Sequence, residues 1–129
     1  MPAHLRLWLD DFRHPPFGYD LWAKTYQEAI DLLDPGEHVI SHCSLDHDLA
    51  DEHYEHANTV DPIPRGLYKE KTGYAVLEWM RDKGIWVPSI YVHTLNEMGA
   101  SEMLQFIREH APAHVKYQRT KPRDPAPPR

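Results

Sequence analysis

The hydrophobic positions of this chain change their period several times as it is read from the amino end. Leu5, Leu7 and Leu9, separated by Arg6 and Trp8, recur every second residue and stop at Asp10-Asp11, the pattern of a strand. Pro15, Pro16 and Gly18 interrupt residues 12–19, so a loop stands where a strand-helix-strand unit would carry its helix. Leu21-Trp22-Ala23-Lys24 reads as a second short strand. Thr25 with Glu28 three residues later is a capping-box pattern, and Ala29, Ile30, Leu32 and Leu33 supply a helical apolar face up to Pro35-Gly36.

From His38 to Leu45 the residues suit a central buried strand, bounded by Asp46-His47-Asp48. Residues 49–71 are polar, carry Pro62, Pro64 and Gly66, and read as a long loop, of the kind that is usually functional or mobile. A helix is expected from Thr72-Gly73 to the stop at Gly84, with Val76, Trp79 and Met80 on its buried face. Ile90, Tyr91 and Val92 form a further strand ending at His93-Thr94. Another helix runs from about Ala100 to His110 and buries Met103, Leu104, Phe106 and Ile107; a last strand covers Val115-Lys116-Tyr117. Residues 119–129 hold Pro122, Pro125, Pro127 and Pro128 among alternating charges and are expected as a disordered tail behind a domain of residues 1–118.

Strands alternating with helices imply one α/β domain with a mostly parallel sheet, covered on both faces through right-handed crossovers. Ligands of such folds collect at the carboxyl ends of the strands. Three polar clusters fall there: Asp10-Asp11, Asp46-His47-Asp48 and His93-Thr94-Leu95-Asn96.

Composition narrows the class. At 129 residues the chain suits one domain with a real core. No apolar run approaches the roughly 20 residues needed to cross a bilayer, and the amino end lacks the pattern of a secretory signal, so a cytoplasmic location is expected. The single cysteine, Cys43, sits in an apolar segment and reads as a small buried hydrophobe. A net charge of −6 argues against a broad nucleic-acid-binding surface. Ten histidines are many for this length, and several stand beside strand ends.

Asp10, Asp11, Asp46 and Asp48 brought to one rim would repel one another unless a cation neutralised them. Such an oxygen-rich set favours Mg²⁺ or Mn²⁺, and ligation by His47 or His93 would move the preference toward Mn²⁺ or Zn²⁺. The alternative is that these aspartates cap loops and helix starts. His47 and His93 can exchange protons near neutrality and are candidate base and acid at a phosphorus centre; alternatively each hydrogen-bonds a neighbouring aspartate or carbonyl. Thr94 and Asn96 are candidate donors to phosphate oxygens or, equally, caps of the turn after the strand. Arg13 would clamp an anion through its planar fork or pair with Asp10 or Asp11. His42, His53 and His56, with Asp51 or Glu52, match no compact metal-ligand spacing. Trp8, Trp22, Trp79 and Trp86 read as packing residues.

Taken in order, Leu7-Trp8-Leu9-Asp10-Asp11-Phe12-Arg13-His14-Pro15, Thr25 to Leu33, Ile40 to Leu49 around Ser44-Leu45-Asp46-His47-Asp48, Thr72-Gly73-Tyr74, Val92-His93-Thr94-Leu95-Asn96 and Gly99 to Met103 resemble the cyclic-phosphate processing receiver-like domain. The resemblance runs to about residue 110. It implies a receiver-like, flavodoxin-like three-layer fold with a five-stranded sheet and its first helix reduced to a loop. It also implies handling of a cyclic phosphate on a nucleotide or an RNA end.

Through the wider likeness to receiver domains, Asp10 and Asp11 would be metal ligands and Asp46 the counterpart of the phosphoacceptor. Thr94 would match the hydroxyl residue after the fourth strand, and Lys116 would be a loose counterpart of the lysine after the fifth. His47 and His93 match the cyclic-phosphate family and not receivers at large. They turn the expectation toward a metal-dependent phosphoesterase, with His47, His93 and Asp46 catalytic, Arg13, Thr94 and Asn96 binding the phosphate, and a divalent metal on Asp10, Asp11, Asp46 and Asp48. The other expectation is a binding or signalling module that recognises a nucleotide or a protein partner. Three departures stand out: Thr94 replaces the family's serine, Glu97 replaces its usual proline, and residues 52–71 form an enlarged loop.

Overall fold

The computed structural model describes residues 4–34, 39–47 and 72–127. Five strands, β1 (His4–Leu9), β2 (Leu21–Ala23), β3 (Val39–Leu45), β4 (Ser89–Val92) and β5 (Lys116–Arg119), form one sheet in the order β2-β1-β3-β4-β5. Every neighbouring pair is parallel. Among the described residues three helices accompany them: α1 (Tyr26–Leu33), α2 (Gly73–Lys83) and α3 (Glu97–His110). This is the receiver-like α/β fold. No helix among the described residues is long and apolar enough to cross a membrane. The expected loop 49–71 lies outside the described residues, as do Asp48, Asp51, Glu52, His53 and His56.

The period-two runs explain how the layers form. Leu7 and Leu9 of β1, Cys43 and Leu45 of β3, and Ile90 and Val92 of β4 point to one face, where Ile30, Val76, Leu77, Met80, Met103 and Ile107 of the helices pack on them. The helices adjoin in the order α1, α2, α3. Trp8 and Ser44 are fully buried on the opposite face, although none of the three helices among the described residues packs on them. The loop after β1 covers Trp8: its indole N–H donates to the Arg13 carbonyl at 2.9 Å, and its ring meets Tyr19 at 5.1 Å between centroids.

The chain after β5 completes that layer. Ala126 is buried and donates its N–H to the Phe17 carbonyl at 2.9 Å, while the buried Arg6 guanidinium donates to the carbonyl of Pro127. Residues 119–127, expected as a tail, thus begin as strand and pack back on the loop.

Helix ends follow local chemistry. The Thr25 hydroxyl accepts from the Glu28 N–H at 3.1 Å, and the Glu28 carboxylate reaches back to the Lys24 N–H, one residue before the cap. Gly84 ends α2 in the left-handed conformation at φ 68°, as expected of a stop glycine. Helix α3 starts at Glu97, about one turn before the expected Ala100, because the Asn96 carboxamide accepts from the Gly99 N–H at 2.9 Å and caps it.

Candidate functional site

The register of the sheet assembles the site. Leu9, Leu45 and Val92 are aligned partners across β1, β3 and β4. The residue following each is Asp10, Asp46 and His93, and the Asp46 N–H and His93 N–H continue the ladder to the Leu9 and Leu45 carbonyls at 3.0 Å each. Alternation along the strands carries these three side chains to the Trp8 face. All three are buried, and one ligand atom from each lies within 4.8 Å of the others.

Asp10 is the hub. Its Oδ1 accepts the backbone N–H groups of Phe12 and Arg13 at 2.9 and 2.8 Å, which fixes the turn after β1. Its Oδ2 faces His93 Nε2 at 3.0 Å and Arg13 Nη1 at 3.3 Å. The same guanidinium nitrogen is 3.5 Å from Asp46 Oδ2, so Arg13 spans the two carboxylates as their shared counter-charge. Asp46 Oδ1 accepts the His47 N–H at 2.8 Å.

Burial pushes the Asp10 carboxyl upward, but the hydrogen bonds from His93, Arg13 and Phe12 outweigh it and hold the group below its ordinary value. Burial lowers His93, against the opposing pull of Asp10. An ionised Asp10 can only accept, so His93 Nε2 carries the proton and donates it. His93 Nδ1, 2.8 Å from Ser44 Oγ, therefore accepts the serine proton. The Tyr19 hydroxyl, pushed up to about 12 by burial, bonds Ser44 in turn. A chain Tyr19–Ser44–His93–Asp10 results, buried from Ser44 inward, with the His93 ring stacked on Trp8 at 3.8 Å and 7°.

Residues one step further along each strand exit differently. Asp11 is half-buried and stands outside the Asp10–Asp46–His93 group among the described residues. His47 lies on the first turn of α3, where a β-carbon on Gly99 would come within 2.7 Å of its ring, so glycine there admits the imidazole. His47 is likewise outside the buried group. Thr94 is buried, and its hydroxyl accepts the Asn96 N–H at 3.1 Å, leaving the hydroxyl proton to donate elsewhere. Asn96 spends its carbonyl oxygen on the cap of α3. Lys116 opens β5 beside Ser89, at the amino end of the sheet and away from the site. The lysine past the carboxyl end of β5 is Lys121.

Sequence reasoning missed four residues that shape the site. Trp8 and Ser44 line the layer beneath it, Tyr19 closes the hydrogen-bond chain, and the Trp22 indole donates to the Asp10 carbonyl at 2.7 Å. Their signal was present as alternation: Trp8 and Ser44 each stand two residues before an aspartate of the site. Gly73 is a fifth, since a β-carbon there would lie 1.8 Å from the Asp46 carbonyl oxygen.

Asp10, Asp46 and His93 converge, but with the His93 nitrogens engaged by Asp10 and Ser44 the two carboxylates are the atoms of this group that could hold a hard divalent cation. Arg13 supplies positive charge at the same carboxylates, so an ion bound there would have to compete with the guanidinium.

Comparison with curated proteins and comparison with solved structures each return no match. Residues 5–109 match the family described as Cyclic-phosphate processing Receiver domain. With that match over most of its length, and with the register-aligned site in place, the chain belongs to the cyclic-phosphate processing receiver domain family.

Proposed function

We propose that the protein is a phosphoesterase that opens a cyclic phosphodiester on a nucleotide or an RNA end. The observation that carries this reading is the Arg13 guanidinium held between Asp10 and Asp46 at the carboxyl ends of aligned parallel strands. A planar cation anchored there, 27% exposed, is shaped to take phosphate oxygens as well as carboxylates.

Asp10 and Asp46 would hold a divalent metal. When bound, such an ion supplies Lewis-acid stabilisation of the phosphate charge and lowers the pKa of water. Arg13 and the Thr94 hydroxyl bind non-bridging oxygens. In the reaction a water oxygen bonds to phosphorus and one ring P–O ester bond breaks. His47 takes the proton of the water and returns one to the departing ribose oxygen. His93 has both nitrogens engaged, so it holds Asp10 in place and does not shuttle protons.

The test is turnover of metal-stripped protein against 2′,3′- and 3′,5′-cyclic nucleotides and cyclic-phosphate-ended RNA, with Mg²⁺, Mn²⁺ and Zn²⁺ restored singly. Metal-dependent product lost in Asp46→Asn supports the reading; no product with any pair contradicts it.

One observation favours a second reading, a non-catalytic binding module. The site is internally satisfied: Arg13 contacts both carboxylates, and no buried side-chain polar atom among the described residues lacks a hydrogen-bond partner. That reading predicts stoichiometric nucleotide binding without product in the same assay.

A further inference from the structure

The chain leaving β5 does more than cover the sheet. Thr120, Lys121 and Pro122 face Thr94 and Leu95 across a cleft of about 400 Å³ at the carboxyl end of the sheet. That volume is in the range of small-molecule sites, roughly 300–1,000 Å³.

Both walls are braced. Arg119 pairs with Glu97 through bonds of 2.7 and 3.0 Å and also donates to the Thr94 carbonyl at 3.3 Å, tying β5 to the β4–α3 turn. Asp124 accepts the Lys121 N–H at 2.8 Å and returns its own N–H to the Lys121 carbonyl at 3.0 Å, closing the turn that carries Lys121 and Pro122. Leu95 is 67% exposed, an apolar side chain at the cleft with surface left to bury. Glu97 already balances the charge of Arg119. The Lys121 ammonium has no carboxylate partner among the described residues.

Thr94 links this cleft to the buried group, because it lines the cleft and directly follows His93. A ligand spanning both would have an anionic end at Thr94 and a flat, mainly apolar body between Leu95 and Pro122. We propose that the cleft is a nucleoside subsite, which takes the base and ribose of a cyclic nucleotide while Lys121 faces its phosphate side. This deepens the esterase reading and rests on it for the identity of the anionic end. A protein segment fits less well, since the feature is a small cleft that offers one exposed leucine to bury.

The test is amide NMR of the full chain, metal-stripped, titrated with adenosine 2′,3′-cyclic monophosphate and separately with inorganic phosphate. The nucleotide should shift Leu95, Thr120 and Lys121, whereas phosphate alone should leave Leu95 and Thr120 in place. Leu95→Ala and Lys121→Gln, both surface changes, should each weaken nucleotide binding about tenfold, the loss expected from an exposed leucine burial or one charge contact. Nucleotide binding without these shifts, unchanged affinity in both variants, or no binding up to millimolar nucleotide would overturn the subsite. Turnover after Mn²⁺ is restored reads the esterase separately: its absence contradicts the esterase while the shifts still decide the cleft.

Discussion

The His93 imidazole lies flat on the Trp8 indole, with ring centroids 3.8 Å apart and planes 7° from parallel, while its two nitrogens bond Ser44 and Asp10. Two strands therefore fix the ring that follows β4: β1 from below and, through Asp10 at its end, at one nitrogen, and β3 at the other. Trp8→Ala removes a fully buried indole and should cost about 3–5 kcal/mol of stability. Trp8→Phe keeps a ring under His93 and loses chiefly the N–H bond to the Arg13 carbonyl, about 1 kcal/mol together with lost area. Urea unfolding of both variants checks the order.

Stability should depend on pH in two windows. The folded state holds His93 below its ordinary value of 6.5, so the unfolded chain protonates first as pH falls. This stability is present above pH 6.5 and is lost as pH falls toward the folded value. Asp10 behaves alike from its ordinary 3.8: its contribution is whole above that pH and disappears through the lower folded value. Urea midpoints from pH 3 to 8 should fall below 6.5 in the wild type, and His93→Gln should flatten that first decline. An unchanged slope in the variant would show that other groups produce it.

Two glycines should respond oppositely to the space around them. Gly73→Ala drives a β-carbon to 1.8 Å from the Asp46 carbonyl oxygen, so backbone must move, at a cost of about 3 kcal/mol or more, and Asp46 moves with it. Gly84→Ala meets open space, but at φ 68° it pays the left-handed penalty of about 1–2 kcal/mol. Thermal unfolding ranks the two, and only Gly73→Ala should also weaken metal binding.

Arg13 and a metal ion should compete. Arg13→Gln leaves two buried carboxylates without their guanidinium and should destabilise the metal-free protein by about 3 kcal/mol. The same change should raise Mn²⁺ affinity roughly tenfold, since the ion no longer displaces a cation. Calorimetric titration decides: equal affinities in wild type and variant would exclude Asp10 and Asp46 as the ligands.

The legibility of this molecule follows from which interactions are local. Leu5, Leu7 and Leu9 announced β1, and the polar residues after Leu9, Leu45 and Val92 marked the site, because parallel strands end together. Ser44, Trp8 and Tyr19 gained meaning only through the Trp8↔Ser44 register, set across more than 30 residues of chain, and through a loop that folds back. Asn96 was legible as either cap or ligand, and the early start of α3 spends its carbonyl oxygen on the cap. Lys116 was misplaced because the last strand lies further along the chain than its apolar residues suggest: β5 is an exposed edge strand and runs to Arg119. The chain after it carries prolines that read as tail, yet Ala126 finds a buried place against the loop.

The esterase reading is tested most directly by running the Mn²⁺-restored protein on adenosine 2′,3′-cyclic monophosphate in ¹⁸O-labelled water and following phosphorus by NMR. The account predicts that the cyclic phosphate signal gives way to a monoester carrying one ¹⁸O on phosphorus, and that His47→Ala, still folded, slows this by about 10²–10⁴-fold. A cyclic phosphate signal that persists with every metal, in a protein that binds the nucleotide, would contradict hydrolysis and leave a binding module.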